Sequence, residues 1–306
     1  MGNRDSRLRG NDRFSKNDLM ATLTIDGSEY EARDGQTVLD VAKENNIPIP
    51  ALCHHEALKP WGACRMCVVE MGRPEWNGGT KITASCALPA ENGLKIQTKS
   101  EKVKGVRKVV LNLLLARCPH SKVIQQLAKV YGLTKTTLKQ DEGRDNCILC
   151  NICTRVCAQL GANAITTIKR GSEKEIATPY NETPPDCIGC LSCAKNCPTD
   201  TIKFEDDGAF RKIWGKTFEM AECSVCKSKS PLTNEQVEFF AKKSGLPQEY
   251  FAKCDVCARK ETAETFAQLV TNPGAHVMKS WGFAVDKMEA KAITAVPVLP
   301  QEFERS

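Results

Sequence analysis

The sequence has no apolar run of the 18 or more residues that a membrane span needs. Its longest candidate, 109–116, contains Asn112 and has the spacing of an amphipathic helix, so no membrane span is expected. An apolar stretch is also missing near the start: the first 19 residues, MGNRDSRLRGNDRFSKNDL, are rich in Arg, Asn and Asp. That composition argues against a signal peptide or anchor and predicts a disordered lead-in before Met20. Aromatic residues make up only 6%, and the net charge of +6 comes from dispersed lysines rather than a block. A solvated mixed-charge surface is therefore expected, and nucleic-acid binding is not. No GxGxxG, Walker-type loop, HExxH or GxSxG occurs. There is thus no reason to place a nucleotide site or a hydrolytic nucleophile in this chain.

What the chain has in excess is cysteine, 17 in 306 residues. All but Cys118 fall into metal-type sets, and without a secretory signal this usage points to metal centres in a reducing compartment, the cytoplasm. Two runs are of one kind: Cys147, Cys150, Cys153, Cys157, and Cys187, Cys190, Cys193, Cys197 followed by Pro198. A four-iron cluster needs four converging thiolates, and a CxxCxxC turn supplies three from one loop whose N–H groups face the sulfides. The two runs resemble the two-cluster ferredoxin pattern, in which the last cysteine of each run ligates the other cluster. That resemblance implies Cys147, Cys150, Cys153 and Cys197 on one [4Fe–4S] cluster, and Cys187, Cys190, Cys193 and Cys157 on a second. Disulfides or isolated zinc knuckles fit the eight-cysteine spacing poorly. Each run is followed by a β-prone segment, 164–168 and 201–204. Asn151 is a departure, since Leu191 stands at the matching place and many ferredoxins have Gly; it is expected to affect a loop or a potential, not the ligand set.

Nearer the start, ATLTI, Asp26-Gly27 and SEYEA read as two strands joined by a tight turn. A helix capped by Thr37 should follow, with Val38, Leu39, Val41 and Ala42 on its apolar face and Asn45 and Asn46 at its end. Hairpin plus helix suggests a β-grasp, with further strands at 82–85 and 94–98. Cys53, Cys64, Cys67 and Cys86, with ten, two and eighteen residues between them, suit one [2Fe–2S] cluster. Gly62 and Ala63 are small enough to let backbone approach it. His54 and His55 are conceivable Rieske-type ligands, but four cysteines complete the set, which leaves the histidines beside the site or on the surface. Trp61 reads as loop packing. Between the cysteine regions, Val106, Val109, Val110, Leu113 and Leu114, then Val123, Leu127 and Val130, have helical spacing.

A last set, Cys223, Cys226, Cys254 and Cys257, forms two CxxC knuckles with 27 residues between them. Four thiolates suit structural zinc, with a third [4Fe–4S] cluster as the alternative. Helices are expected at 234–243 and 247–252, then from ETAETFAQLV, before a tail, VPVLPQEFERS, suited to lie along a partner.

The order of Cys53, Cys64, Cys67 and Cys86, a helical segment, CILCNICTRVC and CIGCLSCAKNCP is similar to the N-terminal iron–sulfur part of the large subunit of respiratory complex I. It is also similar to the small diaphorase subunit of NAD-linked hydrogenases and to related subunits of formate dehydrogenases and bifurcating complexes. The resemblance covers about 21–204. Many of these relatives carry an extra cluster on one His and three Cys, but here RCPHSK offers only Cys118 and His120, so that cluster is expected to be absent and Cys118 to be a buried thiol. The resemblance implies an electron-relay subunit of a hetero-oligomeric cytoplasmic oxidoreductase. Its partners would be a flavoprotein holding FMN or FAD and NAD(P), and a further redox module. A free-standing multi-cluster ferredoxin should be strongly acidic, and a redox-sensing or nucleic-acid-binding zinc protein would leave the first twelve patterned cysteines unexplained.

The expected fold is α+β. It comprises a lead-in (1–19), a β-grasp [2Fe–2S] domain (20–100), a helical linker (101–140), a two-cluster ferredoxin-like domain (141–212), and a C-terminal four-cysteine metal-binding helical region with the partner-binding tail (213–306).

Overall fold

Alternating apolar residues in ATLTI and SEYEA build an antiparallel hairpin, β1 (Ala21–Ile25) and β2 (Ser28–Ala32). Asp26 and Gly27 turn it with positive φ of 49° and 92°, the twist that a two-residue hairpin loop requires. The computed structural model describes residues 21–141 and 145–271, without the side chains of 268–271; the expected lead-in and tail lie outside the described residues.

Helix α1 (Val38–Glu44) starts at a capping box, in which Thr37 and Asp40 each accept from the other's backbone N–H. It buries Val38, Leu39, Val41 and Ala42. Strands β3 (Val68–Gly72), β4 (Thr80–Ala84) and β5 (Lys95–Gln97) complete a sheet of order β2-β1-β5-β3-β4, with β1 and β5 parallel. The sequence reading missed β3. Its first four residues are all buried, so it lacks the alternation by which a one-faced strand is read.

Helices α2 (Glu101–Arg117) and α3 (Lys122–Val130) follow. Leu111, Leu115 and Ile124 pack in one core with Leu52, Leu58 and Met66 on one side and Ile148, Ile152 and Val156 on the other. The helical segment therefore joins the first cysteine loop to the second.

The next part carries α4 (Ile152–Leu160), the paired strands β6 (Thr166–Ile168) and β7 (Glu175–Ala177), and the short α5 (Ser192–Lys195). The strand expected at 201–204 begins instead at its last residue, as β8 (Phe204–Asp206), and pairs with β9 (Phe210–Ile213). With β10 (Lys216–Glu222) and β11 (Lys229–Thr233) it forms a four-stranded sheet of order β11-β10-β9-β8. Beyond it lie α6 (Asn234–Ser244), capped by Thr233 and Gln236, then α7 (Gln248–Phe251) and α8 (Asp255–Thr271). The C-terminal region is thus mixed, not only helical as the sequence suggested. FRKI, KTFEMAE and KSPLT are poor in β-formers and hold together through a few buried side chains, Ile213, Phe218 and Met220 among them. The fold as a whole is mixed α+β.

Phe218 also explains one glycine. Gly189 has φ +68°, and an added Cβ would meet the Phe218 ring at 2.8 Å. Gly189→Ala is expected to cost about 2–4 kcal/mol from left-handed backbone and overpacking together. Gly208→Ala, at φ +83° with nothing within 4 Å, should lose only the backbone part. Denaturation midpoints of both variants check this; equal losses would show that the Phe218 contact is not what requires glycine.

Candidate metal centres

Cys53 lies in the loop after α1, Cys64 and Cys67 before β3, and Cys86 in a short turn after β4, and all four are buried. The loop directs backbone N–H groups at sulfur: Leu52 donates to Cys64 Sγ at 3.4 Å, and Cys64 to Cys53 Sγ at 3.4 Å. Ser85 holds the Cys67 carbonyl through its N–H at 3.0 Å and its hydroxyl at 2.8 Å. The thiols form two close pairs. Hydrogen bonds from Cys53 and from Cys86 lower Cys64 to about 6 and Cys67 to about 7, while the donors are raised. Four buried sulfurs with inward N–H donors fit an anionic iron–sulfur group.

The surroundings of this loop fit such a group as well. Arg107 of α2 is only 3% exposed, yet its guanidinium donates to neutral oxygens: the Met66 carbonyl at 3.1 Å, the Val68 carbonyl at 2.8 Å and the Tyr131 hydroxyl at 3.1 Å. A buried cation is costly without a counter-charge, and these carbonyls flank Cys67 on both sides. Sequence reasoning missed Arg107, which sits between the apolar positions of α2. His54 is buried beside Asp40, its Nε2 4.0 Å from Oδ1, and burial lowers its pKa. His55 Nε2 lies 3.0 Å from Asn196 Oδ1, next to Cys197.

Cys147, Cys150, Cys153 and Cys197 line one cavity of about 490 Å³. Cys157, Cys187, Cys190 and Cys193 line a separate, smaller one. Each cavity therefore takes three cysteines from one run and the last from the other. Backbone N–H groups again meet sulfur, Leu149 to Cys147 Sγ at 3.4 Å and Ala164 to Cys157 Sγ at 3.2 Å. Burial pushes Cys150 up to about 11 and Cys153 and Cys193 up to about 12, so an anionic thiolate there needs a positive partner such as iron. The two loops share a backbone: Leu149 and Asn151 have φ of 53° and 57°, Gly189 and Leu191 68° and 60°. Asn151 thus leaves the turn unchanged, and Asn adopts this region more readily than Leu.

The carbonyls of these loops are tied from outside. Arg117 Nε donates to the Cys147 carbonyl at 3.0 Å, and Lys216 Nζ to that of Cys187 at 2.9 Å. Thr233 Oγ1 donates to the Ile188 carbonyl at 2.7 Å and Arg211 to that of Gly189 at 3.0 Å. Arg155, between Cys153 and Cys157, donates to the carbonyls of Cys53 at 2.9 Å and Lys59 at 2.7 Å, and lies 5.4 Å from the Trp61 ring centre. Trp61 therefore stacks on an arginine that joins two cysteine regions. Cys118 is fully buried in the core between them, where desolvation raises its pKa to about 12.

The Sγ atoms of Cys223, Cys226, Cys254 and Cys257 all lie within 4.8 Å of one another, with Cys226 and Cys254 3.7 Å apart. The first knuckle is the tip of the β10–β11 hairpin and the second opens α8. Cys254 N–H donates to Cys223 Sγ at 3.3 Å, Cys257 N–H to Cys254 Sγ at 3.5 Å, and Ser228 Oγ lies 3.0 Å from Cys226 Sγ. Backbone donors from Cys226 and Cys254 lower the Cys223 thiol to about 6. This is a donor set for a soft metal ion.

Residues 19–101 match the 2Fe-2S iron-sulfur cluster binding domain, and residues 146–201 the 4Fe-4S dicluster domain. The chain is 28% identical over 249 residues to the NADPH-Fe(3+) oxidoreductase subunit alpha of Geobacter sulfurreducens, covering 73% of this chain and 28% of that protein. It is 29% identical over 214 residues to the NADP-reducing hydrogenase subunit HndD of Solidesulfovibrio fructosivorans, covering 60% and 36%. With the NADH-ubiquinone oxidoreductase 75 kDa subunit of Reclinomonas americana it shares 31% identity over 189 residues, covering 52% and 26%. A solved structure described as an NAD+-reducing [NiFe]-hydrogenase in the H2-reduced state aligns with TM-score 0.47 and 31% identity over 52% of this chain and 74% of that one. The chain spans 26% to 36% of the length of these three curated relatives. It resembles iron–sulfur subunits of NAD(P)-linked oxidoreductases, as its cysteine motifs indicated.

Arg155→Ala removes two charge-assisted hydrogen bonds to the 51–67 loop and is expected to lower stability by about 2–4 kcal/mol. Amide hydrogen exchange should accelerate in that loop and not in β10. Arg155→Lys should restore little, because an ammonium lacks the fork that reaches both carbonyls. Unchanged exchange in the loop would show that Arg155 does not hold it.

Proposed function

We propose that this chain is the iron–sulfur electron-relay subunit of a cytoplasmic oxidoreductase complex, working between an NAD(P)- and flavin-binding partner and a further redox module of hydrogenase, formate dehydrogenase or bifurcating type. The observation that carries the reading is that three all-cysteine sets share one folded unit, two of them in a continuous core: Leu52, Cys53, Cys64 and Met66 pack with Cys150, Ile152 and Val156. The matched domain descriptions and the oxidoreductase subunits that the chain resembles support the same reading. Bound iron–sulfur clusters would supply one-electron uptake and release, and the hydride chemistry would belong to the flavin partner.

In this reading Cys53, Cys64, Cys67 and Cys86 hold a [2Fe–2S] cluster on a β-grasp sheet, and Arg107 offsets its negative charge. Cys147, Cys150, Cys153 and Cys197 hold one [4Fe–4S] cluster, and Cys187, Cys190, Cys193 and Cys157 the other; the separate cavities support this crossing. Arg155 and the His55–Asn196 pair fix the [2Fe–2S] loop against the first of these, which makes the two sites neighbours in the relay. The boundaries near residues 100 and 140 follow the same plan, whereas the one expected at 212 falls inside β9 of the β8–β11 sheet. The last four cysteines hold zinc rather than a third [4Fe–4S] cluster. A tetrahedral ion with Zn–S bonds of about 2.3 Å keeps its sulfurs about 3.8 Å apart. A cubane places each thiolate on a different iron and spreads the four more widely.

Anaerobically purified protein should contain about ten iron atoms and about one zinc per chain. Fewer than about six iron atoms after full reconstitution would sink the relay reading, and about fourteen with no zinc would mean a third cubane. Cys197→Ser should perturb the cluster built on Cys147, Cys150 and Cys153, and Cys157→Ser the other; damage confined to each variant's own run would refute the crossing. In the assembled complex, Cys190→Ser should abolish electron flow from NAD(P)H to the terminal acceptor while dye reduction at the flavin survives. An isolated chain that reduces a nicotinamide cofactor by itself would overturn the relay assignment.

A further inference from the structure

Trp214 occupies the turn between β9 and β10, with a positive φ of 52°, and Gly215 follows at 74°. Left-handed backbone is a strained state for a bulky residue. The turn aims its indole inward, where the ring lines both cavities, the one with Cys147, Cys150, Cys153 and Cys197 and the one with Cys157, Cys187, Cys190 and Cys193. The indole nitrogen is buried, and no acceptor among the described residues pairs with it at hydrogen-bonding geometry. An unpaired buried N–H costs about 1–3 kcal/mol. A strained turn that carries a buried donor without a formed hydrogen bond between two sulfur-lined cavities suits an acceptor at the sulfur sites.

The packing identifies that acceptor. Trp214 packs in one cluster with Cys157, Cys187 and Cys193, three of the four sulfurs of the second set, and with Cys153 alone of the first. The four-stranded sheet holds the arrangement in place: Lys216, two residues on, donates to the carbonyls of Pro185 and Cys187, and Ile213 and Phe218 pack with Leu191 and Cys193. We propose that the Trp214 indole N–H donates to a sulfur of the [4Fe–4S] cluster held by Cys187, Cys190, Cys193 and Cys157, and that it raises that cluster's reduction potential. The inference rests on the ligand assignment above. Adding one electron increases the negative charge on the sulfurs, so a donor fixed at one of them stabilises the reduced form more than the oxidised. Trp214 is therefore a positioning residue that sets the relative ease of reducing the two cubanes. It lies beyond residue 201, where the match to the dicluster domain ends.

The test is a potentiometric titration of the full-length reconstituted chain, with dithionite as reductant and paramagnetic resonance as the readout. Trp214→Phe keeps an aromatic ring in the turn and removes the donor. For the cubane that Cys157→Ser perturbs, the reduced-to-oxidised ratio at a fixed potential should fall about tenfold, a midpoint lower by about 59 mV for one electron. The other cubane and the [2Fe–2S] cluster should change less than about twofold, or about 18 mV. An unchanged midpoint for that cubane overturns the proposal. Should Trp214→Phe fail to assemble, wild-type protein labelled with 15N in the tryptophan indole decides instead. Spin-echo coupling of that nitrogen to the reduced cubane supports the hydrogen bond, and no coupling overturns it. Wild-type protein that loads no second cubane overturns the ligand assignment and this inference together, whereas a loaded cubane without shift or coupling overturns this inference alone.

Discussion

The loops of the first three cysteine sets face the same constraint: a turn that points its N–H groups and sulfurs inward must point its carbonyls outward. Buried or half-buried carbonyls need donors, and beside the neutral Ser85 and Thr233 several of the donors here are cationic. Arg107 takes the carbonyls on either side of Cys67, Arg155 that of Cys53, Arg117 that of Cys147, and Lys216 and Arg211 those of Cys187 and Gly189. Each contact meets a backbone requirement and also places positive charge beside sulfur. The two roles reinforce each other, because a thiolate-ligated cluster is anionic and a guanidinium on neutral carbonyls keeps its charge available to that cluster.

This arrangement gives the elements outside the cysteine motifs their purpose. Helix α2 brings Arg107 to the first loop and Arg117 to the second, so one helix braces two cysteine regions. The four-stranded sheet braces the loop of Cys187 through Lys216, Arg211 and Thr233, and its Phe218 forces glycine at residue 189. The same sheet ends at Cys223 and Cys226, where the second knuckle closes against it. The C-terminal cysteine set thus fixes the end of the sheet that supports the second loop.

The amino-acid sequence made the cysteine grouping readable because ligand spacing is local, and it made β1, β2 and α1 readable because Asp26-Gly27 and the Thr37 box are local turn and cap chemistry. Strand β3 escaped because both its faces are covered. The sheet β8–β11 escaped because its stability comes from Phe218, Ile213 and Met220 meeting non-local partners, while FRKI and KTFEMAE look like solvated charge. The bracing arginines were invisible for a related reason. A lysine or arginine in a mixed-charge sequence reads as surface, and only the fold shows that Arg107 and Arg211 are 3% and 8% exposed.

These features bear on how the chain folds. Leu149, Asn151, Leu191 and Trp214 hold left-handed backbone, Arg107 is a buried cation on neutral oxygens, and burial disfavours ionisation of Cys150, Cys153 and Cys193. Each opposes the folded state of the bare polypeptide. On the proposed assignment a bound cluster would offset these costs: its iron would bind the thiolates, its sulfides would accept from the N–H groups, and its net negative charge would face the arginines. Arg155 ties the 51–67 loop to α4, so the relief at one site reaches the next through a shared core. On the proposed ligand assignment, folding and cluster loading would be one coupled process, with the outward carbonyls and their cationic donors as the link between sites.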